Sequence, residues 1–136
     1  MVRESHRRNM SSVSDNDPRH IVLVVEDDPF QRDLASDVLE DIGCDVVEAV
    51  NADQAIAILE ARKDICIVFT DIEMPGSMDG LKLASAIRGR WPPIELILTS
   101  GAHYLDDDQI PARGRFLSKP YDPNALAAAV RAFTPA

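Results

Sequence analysis

The sequence predicts an α/β domain: a doubly wound, five-stranded parallel sheet covered by helices on both faces. Three observations predict it. Short runs of β-branched and aliphatic residues recur without polar interruption, as strands buried on both faces require. Between these runs, apolar residues return at spacings of three and four, which marks helices. The two patterns alternate from His20 onward, and right-handed crossovers between parallel strands then restrict the topology to a doubly wound sheet.

Each element follows in order. Ile21-Val22-Leu23-Val24-Val25 is the first strand. Phe30, Leu34, Val38, Leu39 and Ile42 form a helical stripe, with Asp28 suited to the N-cap, Pro29 to the first helical position and Gly43 to the stop. Cys44–Ala49 reads as the second strand, and Ala52, Ala55, Ile56 and Leu59 as the next helical stripe. Ile65–Thr70 is the third strand. The segment Asp71–Asp79 contains Pro75 and Gly76 and is read as a loop. Leu81, Ala84, Ile87 and Trp91 mark a third helix, ended by Pro92-Pro93. Leu96–Thr99 is the fourth strand. Residues 102–114, with Asp106-Asp107-Asp108, Pro111 and Gly114, leave room for a short helix at most. Arg115–Ser118 is a short fifth strand, and Leu126, Ala129, Val130 and Phe133 form the final helix.

The chain of 136 residues has the length of one ordinary domain, and a hydrophobic share of 46% is enough for a core. Residues 1–19 are rich in Ser, Arg, Asn and Asp without periodicity, and are expected to be a disordered tail before a domain at 20–136. The net charge is −9; Arg3, Arg7, Arg8 and Arg19 against Glu4, Asp15 and Asp17 give the tail +1, so the rest carries −10. Such a surface repels nucleic-acid phosphates and anionic lipid, so neither is expected as a partner. No apolar run reaches the ~18 residues that a membrane span needs, and no signal peptide is visible. Cys44 and Cys66 lie in apolar runs without a CxxC partner. They are expected to be buried, reduced thiols, consistent with a cytoplasmic location.

In doubly wound sheets, ligands bind outside the C-terminal strand ends. Here the first strand ends in Glu26-Asp27-Asp28, the third in Asp71, the fourth in Thr99-Ser100-Gly101 and the fifth in Ser118-Lys119-Pro120. In a parallel sheet these ends share one edge, so carboxylates, a hydroxyl and an ammonium converge. Crowded carboxylates repel one another, and a hard divalent cation resolves the conflict. Mg²⁺ (with Mn²⁺ as an alternative) is therefore expected on Asp27 and Asp71, with Glu26 acting through water and the backbone carbonyl of Glu73 completing the shell. Asp71 is then the candidate nucleophile toward phosphorus, with Lys119 and Ser100 serving the phosphoryl oxygens. Ser100 is favoured over Thr99, which is the fallback hydroxyl.

The segments VVEDD, FTDIEMPGSMDG, ILTSG and FLSKPYDP resemble the response-regulator receiver family, typified by the bacterial chemotaxis regulator. The similarity runs from about residue 20 to the end of the chain. It implies a flavodoxin-like strand order of 2-1-3-4-5, Asp71 as phosphoacceptor, Glu26 and Asp27 as the acidic pair, and Ser100 as switch hydroxyl. It also implies Lys119 before a cis-proline and Phe116 as the switch aromatic. The implied partners are a histidine kinase or histidine phosphotransfer domain as donor, and an effector on another chain, since no effector segment follows Phe133. The chain departs from the family pattern twice: MPGSMDG is one residue longer than the common form, and the stretch from Gly101 to Lys119 is short. The helix before the fifth strand is therefore expected to be truncated.

Two other functions compete. A receiver-like interaction module that is never phosphorylated would be expected to have lost an acid or the lysine. An Asp-nucleophile phosphatase of the haloacid dehalogenase type would carry its nucleophile after the first strand, in a longer chain. His20 and His103 have no partners in sequence and are assigned no chemistry; Asp106–Asp108 is expected to be a solvated loop.

Overall fold

The computed structural model describes residues 20–133. The expected tail at 1–19 lies outside the described residues. Five strands form one parallel sheet in the order β2-β1-β3-β4-β5: β1 Ile21–Val25, β2 Asp45–Ala49, β3 Ile67–Asp71, β4 Glu95–Ser100 and β5 Gly114–Ser118. Among the described residues, four α-helices connect or follow them: α1 Pro29–Asp41, α2 Ala52–Ala61, α3 Gly80–Arg90 and α4 Pro123–Ala132.

The strands bury residues on both faces. Leu23, Val47, Val68 and Leu96 pack with Leu59, Leu83 and Ile87 of α2 and α3. Val22, Val46, Ile67 and Ile97 pack with Leu39, Leu126 and Val130 of α1 and α4. Alternate residues of each strand thus serve opposite layers, which explains why the strands read as continuous apolar runs rather than alternating ones.

Side chains cap the helices as the sequence suggests. Asp28 Oδ1 accepts the Phe30 N–H at 2.9 Å ahead of α1, and Asp79 Oδ1 accepts the Lys82 N–H at 2.9 Å ahead of α3. Each satisfies a backbone donor that the helix itself leaves open.

Two expectations change. β3 begins at Ile67 and runs through Asp71, so the acid is the last residue of a strand rather than the first of a loop. Cys44 is buried just ahead of β2, but Cys66 is exposed. Its N–H donates to the Ile21 carbonyl and its carbonyl accepts the Glu95 N–H, one residue ahead of β3 at the N-terminal edge of the sheet. As expected, the segment between β4 and β5 is curtailed: it holds one 3₁₀ turn, Asp107–Gln109. The Asp106 N–H donates to Gln109 Oε1 at 2.8 Å and the Gln109 N–H to the Asp106 carbonyl at 2.8 Å, which closes the turn.

Candidate functional site

Four strand ends build the site. Beyond β1, the Glu26 N–H donates to the Ala49 carbonyl at 3.1 Å, continuing the sheet by one residue. The Glu26 carboxylate is thereby held in a buried position, while Asp27 next to it is exposed. Glu26 Oε2 accepts the Asp28 N–H at 3.1 Å, and Arg32 Nη1 donates to the Glu26 carbonyl at 2.9 Å. The acid is therefore fixed at both its side chain and its backbone.

Asp71 closes β3 and is 5% exposed. Its Oδ1 accepts the Glu73 N–H at 3.2 Å and its Oδ2 accepts Lys119 Nζ at 2.8 Å. Lys119 also donates to Glu26 Oε1 at 3.2 Å, so one ammonium spans the two buried acids. The Lys119 N–H donates to the Ser100 carbonyl at 2.8 Å, which fixes this lysine just past the β4–β5 pairing. The Lys119–Pro120 peptide is cis. Glycine is required at position 80, where a Cβ would stand 2.2 Å from the Asp71 carbonyl oxygen. The start of α3 thus lies directly against the end of β3.

Carboxylate oxygens of Glu26, Asp27 and Asp71 lie within 4.8 Å of one another. The electrostatics reflect the crowding. Burial, aided by the charge of Asp71, pushes the Glu26 carboxyl up to about 7 against the opposing pull of the Asp28 N–H and Lys119. Burial works to lower Lys119, but its bond to Asp71 and the charge of Glu26 outweigh it and hold the ammonium above its ordinary value. An all-oxygen set with excess negative charge fits a hard divalent cation.

Ser100 is fully buried at the end of β4. Its hydroxyl donates to Glu73 Oε2 and accepts the N–H groups of Ala102 at 3.1 Å and His103 at 2.7 Å. Thr99, the fallback, is buried with its hydroxyl making no hydrogen bond. Phe116 of β5 is partly buried against the α2–α3 layer and meets the exposed Tyr104 edge-on at 5.9 Å. The structure thus brings Glu26, Asp27, Asp71, Ser100 and Lys119 to one rim, with Phe116 on the strand behind it.

Sequence reasoning missed two groups. It considered only the backbone carbonyl of Glu73, whereas the Glu73 side chain reaches across to β4. Glu73 Oε1 accepts the Gly101 N–H at 3.2 Å, and Oε2 lies 2.6 Å from His103 Nδ1. His103, given no chemistry, is therefore part of the rim. The only available signal was the Ser-Gly-Ala-His turn, whose serine can accept the histidine N–H locally; the contact with Glu73 spans 30 residues.

Beside Lys119, a groove of about 490 Å³ opens between α1 and the segment after β5, lined by Phe30, Leu34, Val38, Tyr121 and Pro123. Phe30 is 71% and Leu34 51% exposed.

A family model for the response regulator receiver domain matches residues 22–131. The nitrogen assimilation regulatory protein NtrX of Azorhizobium caulinodans is 33% identical over 112 residues, covering 79% of this chain and 24% of that protein. An uncharacterised 14.6 kDa protein of Leptolyngbya boryana is 38% identical over 119 residues, covering 82% of this chain and 88% of that protein. The chain thus spans about a quarter of the length of NtrX, but most of the length of the smaller relative. Among solved structures, the response regulator TrrA of Thermotoga maritima, in complex with Mg²⁺-BeF, has a TM-score of 0.77 at 28% identity. That match covers 85% of this chain and 99% of TrrA. A response regulator receiver protein from Pseudomonas putida gives 0.75 at 29% identity, covering 85% and 98%.

Proposed function

The chain belongs to the response regulator receiver family, and from that premise we propose that it accepts a phosphoryl group on Asp71 and acts as a two-component or phosphorelay switch. One observation carries the reading: Lys119 Nζ stands 2.8 Å from Asp71 and 3.2 Å from Glu26, at the edge where three acids crowd together. A lone structural carboxylate needs no such neighbours, whereas a phosphoryl acceptor needs a positive charge beside it.

The donor is a phosphohistidine of a histidine kinase or phosphotransfer domain. An Asp71 carboxylate oxygen forms a bond to phosphorus as the P–N bond breaks, and the donor imidazole, already carrying a proton on its other ring nitrogen, leaves as the neutral ring. Asp27, Asp71, Glu26 through water and the Glu73 carbonyl would hold Mg²⁺, or Mn²⁺ on the same oxygen set, and the ion would supply charge neutralisation for the transferring group. Lys119, already on Asp71 Oδ2, offsets further charge on the phosphoryl oxygens. Ser100 donates its hydroxyl hydrogen to a phosphoryl oxygen. Phe116, edge-on to Tyr104, is the aromatic that would follow a movement of the β4 end.

The added charge of about −1.5 to −2 favours whichever arrangement of these loops best satisfies it, and an effector on another chain reads the shifted population. The chain is thus a switch rather than an enzyme. Donor docking falls to the exposed Phe30–Leu34 face, because the groove it borders opens onto Lys119.

The test is incubation with acetyl phosphate and Mg²⁺, followed by intact-mass measurement. The wild type gains the mass of one phosphoryl group and Asp71→Asn does not. An adduct that persists in the variant assigns the acceptor to another residue.

A further inference from the structure

Ser100 is expected to meet the phosphoryl group, yet in this structure its hydroxyl is already engaged. A serine hydroxyl has one hydrogen to give. That hydrogen goes to Glu73 Oε2, and the oxygen accepts the N–H groups of Ala102 and His103 at 3.1 and 2.7 Å. The Glu73 carboxylate is itself held in place: its other oxygen takes the Gly101 N–H at 3.2 Å, and the His103 ring stands 2.6 Å from Oε2. Its backbone N–H bonds to Asp71 Oδ1 at 3.2 Å. One residue therefore touches the acceptor through its backbone and the switch hydroxyl through its side chain.

We propose that the Glu73 side chain, clamped by His103, is a positioning residue that sequesters the Ser100 hydroxyl and so restrains the switch until a phosphoryl group competes for it. This rests on the reading of Asp71 as phosphoacceptor. The competition is between two anions for one donor. The Glu73 carboxylate wins while the acceptor is bare, and a phosphoryl group with three strong acceptor oxygens wins once it is attached. Release breaks a charge-assisted bond, and the ordered turn at residues 100–103 is then free to rearrange. The restraint tunes how much of each phosphorylation event is converted into movement, and it links the loops after β3 and β4 directly.

The experiment uses beryllofluoride with Mg²⁺ as the phosphoryl stand-in and measures its affinity by calorimetry in the full chain. Four proteins are compared: wild type, Glu73→Ala, Ser100→Ala and the double variant. Glu73→Ala leaves the backbone carbonyl and the N–H bond to Asp71 in place. Removing a charge-assisted competitor is expected to tighten binding by about tenfold. In the Ser100→Ala background the same change is expected to have no more than about a twofold effect, because no hydroxyl remains to be released. Thermal midpoints confirm that each variant folds. An equal gain in both backgrounds overturns the proposal, since it would come from removing a repelling charge rather than freeing a hydroxyl. No gain in either background also overturns it. A wild type that binds no beryllofluoride overturns the phosphoacceptor reading itself, a result distinct from the other two.

Discussion

Replacing Lys119 by methionine should move two affinities in opposite directions. The ammonium sits 2.8 Å from Asp71 and 3.2 Å from Glu26, so it competes with a bound cation for the same carboxylates. A unit positive charge ~4 Å from a divalent ion repels it by about 2 kcal/mol even at the permittivity of water. Removing that charge therefore tightens Mg²⁺ binding by roughly 30-fold. The same substitution removes a partner of the phosphoryl oxygens and weakens beryllofluoride binding by a comparable factor or more. Stability falls as well. Breaking a fully buried ion pair by deleting one partner costs about 3–5 kcal/mol. The Lys119 side chain is 18% exposed, so solvent screening trims the loss to about 2 kcal/mol. The loss is largest above neutral pH and smaller at pH near 5, where Glu26 takes up a proton instead. Calorimetric titrations with Mg²⁺ alone and then with beryllofluoride, with urea melts as the control, measure each quantity. If Mg²⁺ affinity in a folded Lys119→Met protein is unchanged or weaker, the lysine does not compete for the metal-binding oxygens and the electrostatic account of the site is refuted.

The other predictions are more local. Glu26 has a folded-state value of about 7, above its unfolded value of 4.5. Its contribution to metal-free stability is thus full below that unfolded value and lost as pH rises through about 7; urea midpoints across this window should fall, and Glu26→Gln should flatten the slope. Gly80→Ala places a Cβ 2.2 Å from the Asp71 carbonyl oxygen and 2.7 Å from Ile72 Cα. Because both are backbone atoms, the change should cost at least about 2 kcal/mol and weaken beryllofluoride binding, read by thermal melts and calorimetry. Leu34→Asp, on the exposed border of the α1 groove, should slow phosphoryl transfer from a phosphohistidine donor by about tenfold while leaving phosphorylation by acetyl phosphate unchanged. Equal slowing with both donors would locate the defect in the acceptor site rather than in docking.

Much of this site was legible because its groups follow directly after apolar strands. Glu26, Asp71, Ser100 and Lys119 each sit where a buried run turns polar, and a parallel sheet must bring such ends together. Asp28 as a helix cap was legible for a similar reason, since the bond to the Phe30 N–H is local. Cys66 was misread because an apolar neighbourhood in sequence does not say at which residue the strand begins. The Glu73 side chain and His103 were not legible because they meet across 30 residues, between two loops with no periodicity to interpret.

Local patterning alone sets the alternation of strands and helices, and with it the edge at which the acids and the lysine gather. That follows because hydrophobic period and strand-end polarity are properties of short segments. The close contacts emerge in the folded chain: Lys119 bridging Glu26 and Asp71, Gly80 pressed against the Asp71 backbone, and Glu73 holding the Ser100 hydroxyl. Hydrogen bonds and ion pairs act over about 3 Å, and the chain reaches that precision between distant loops only after the core has packed.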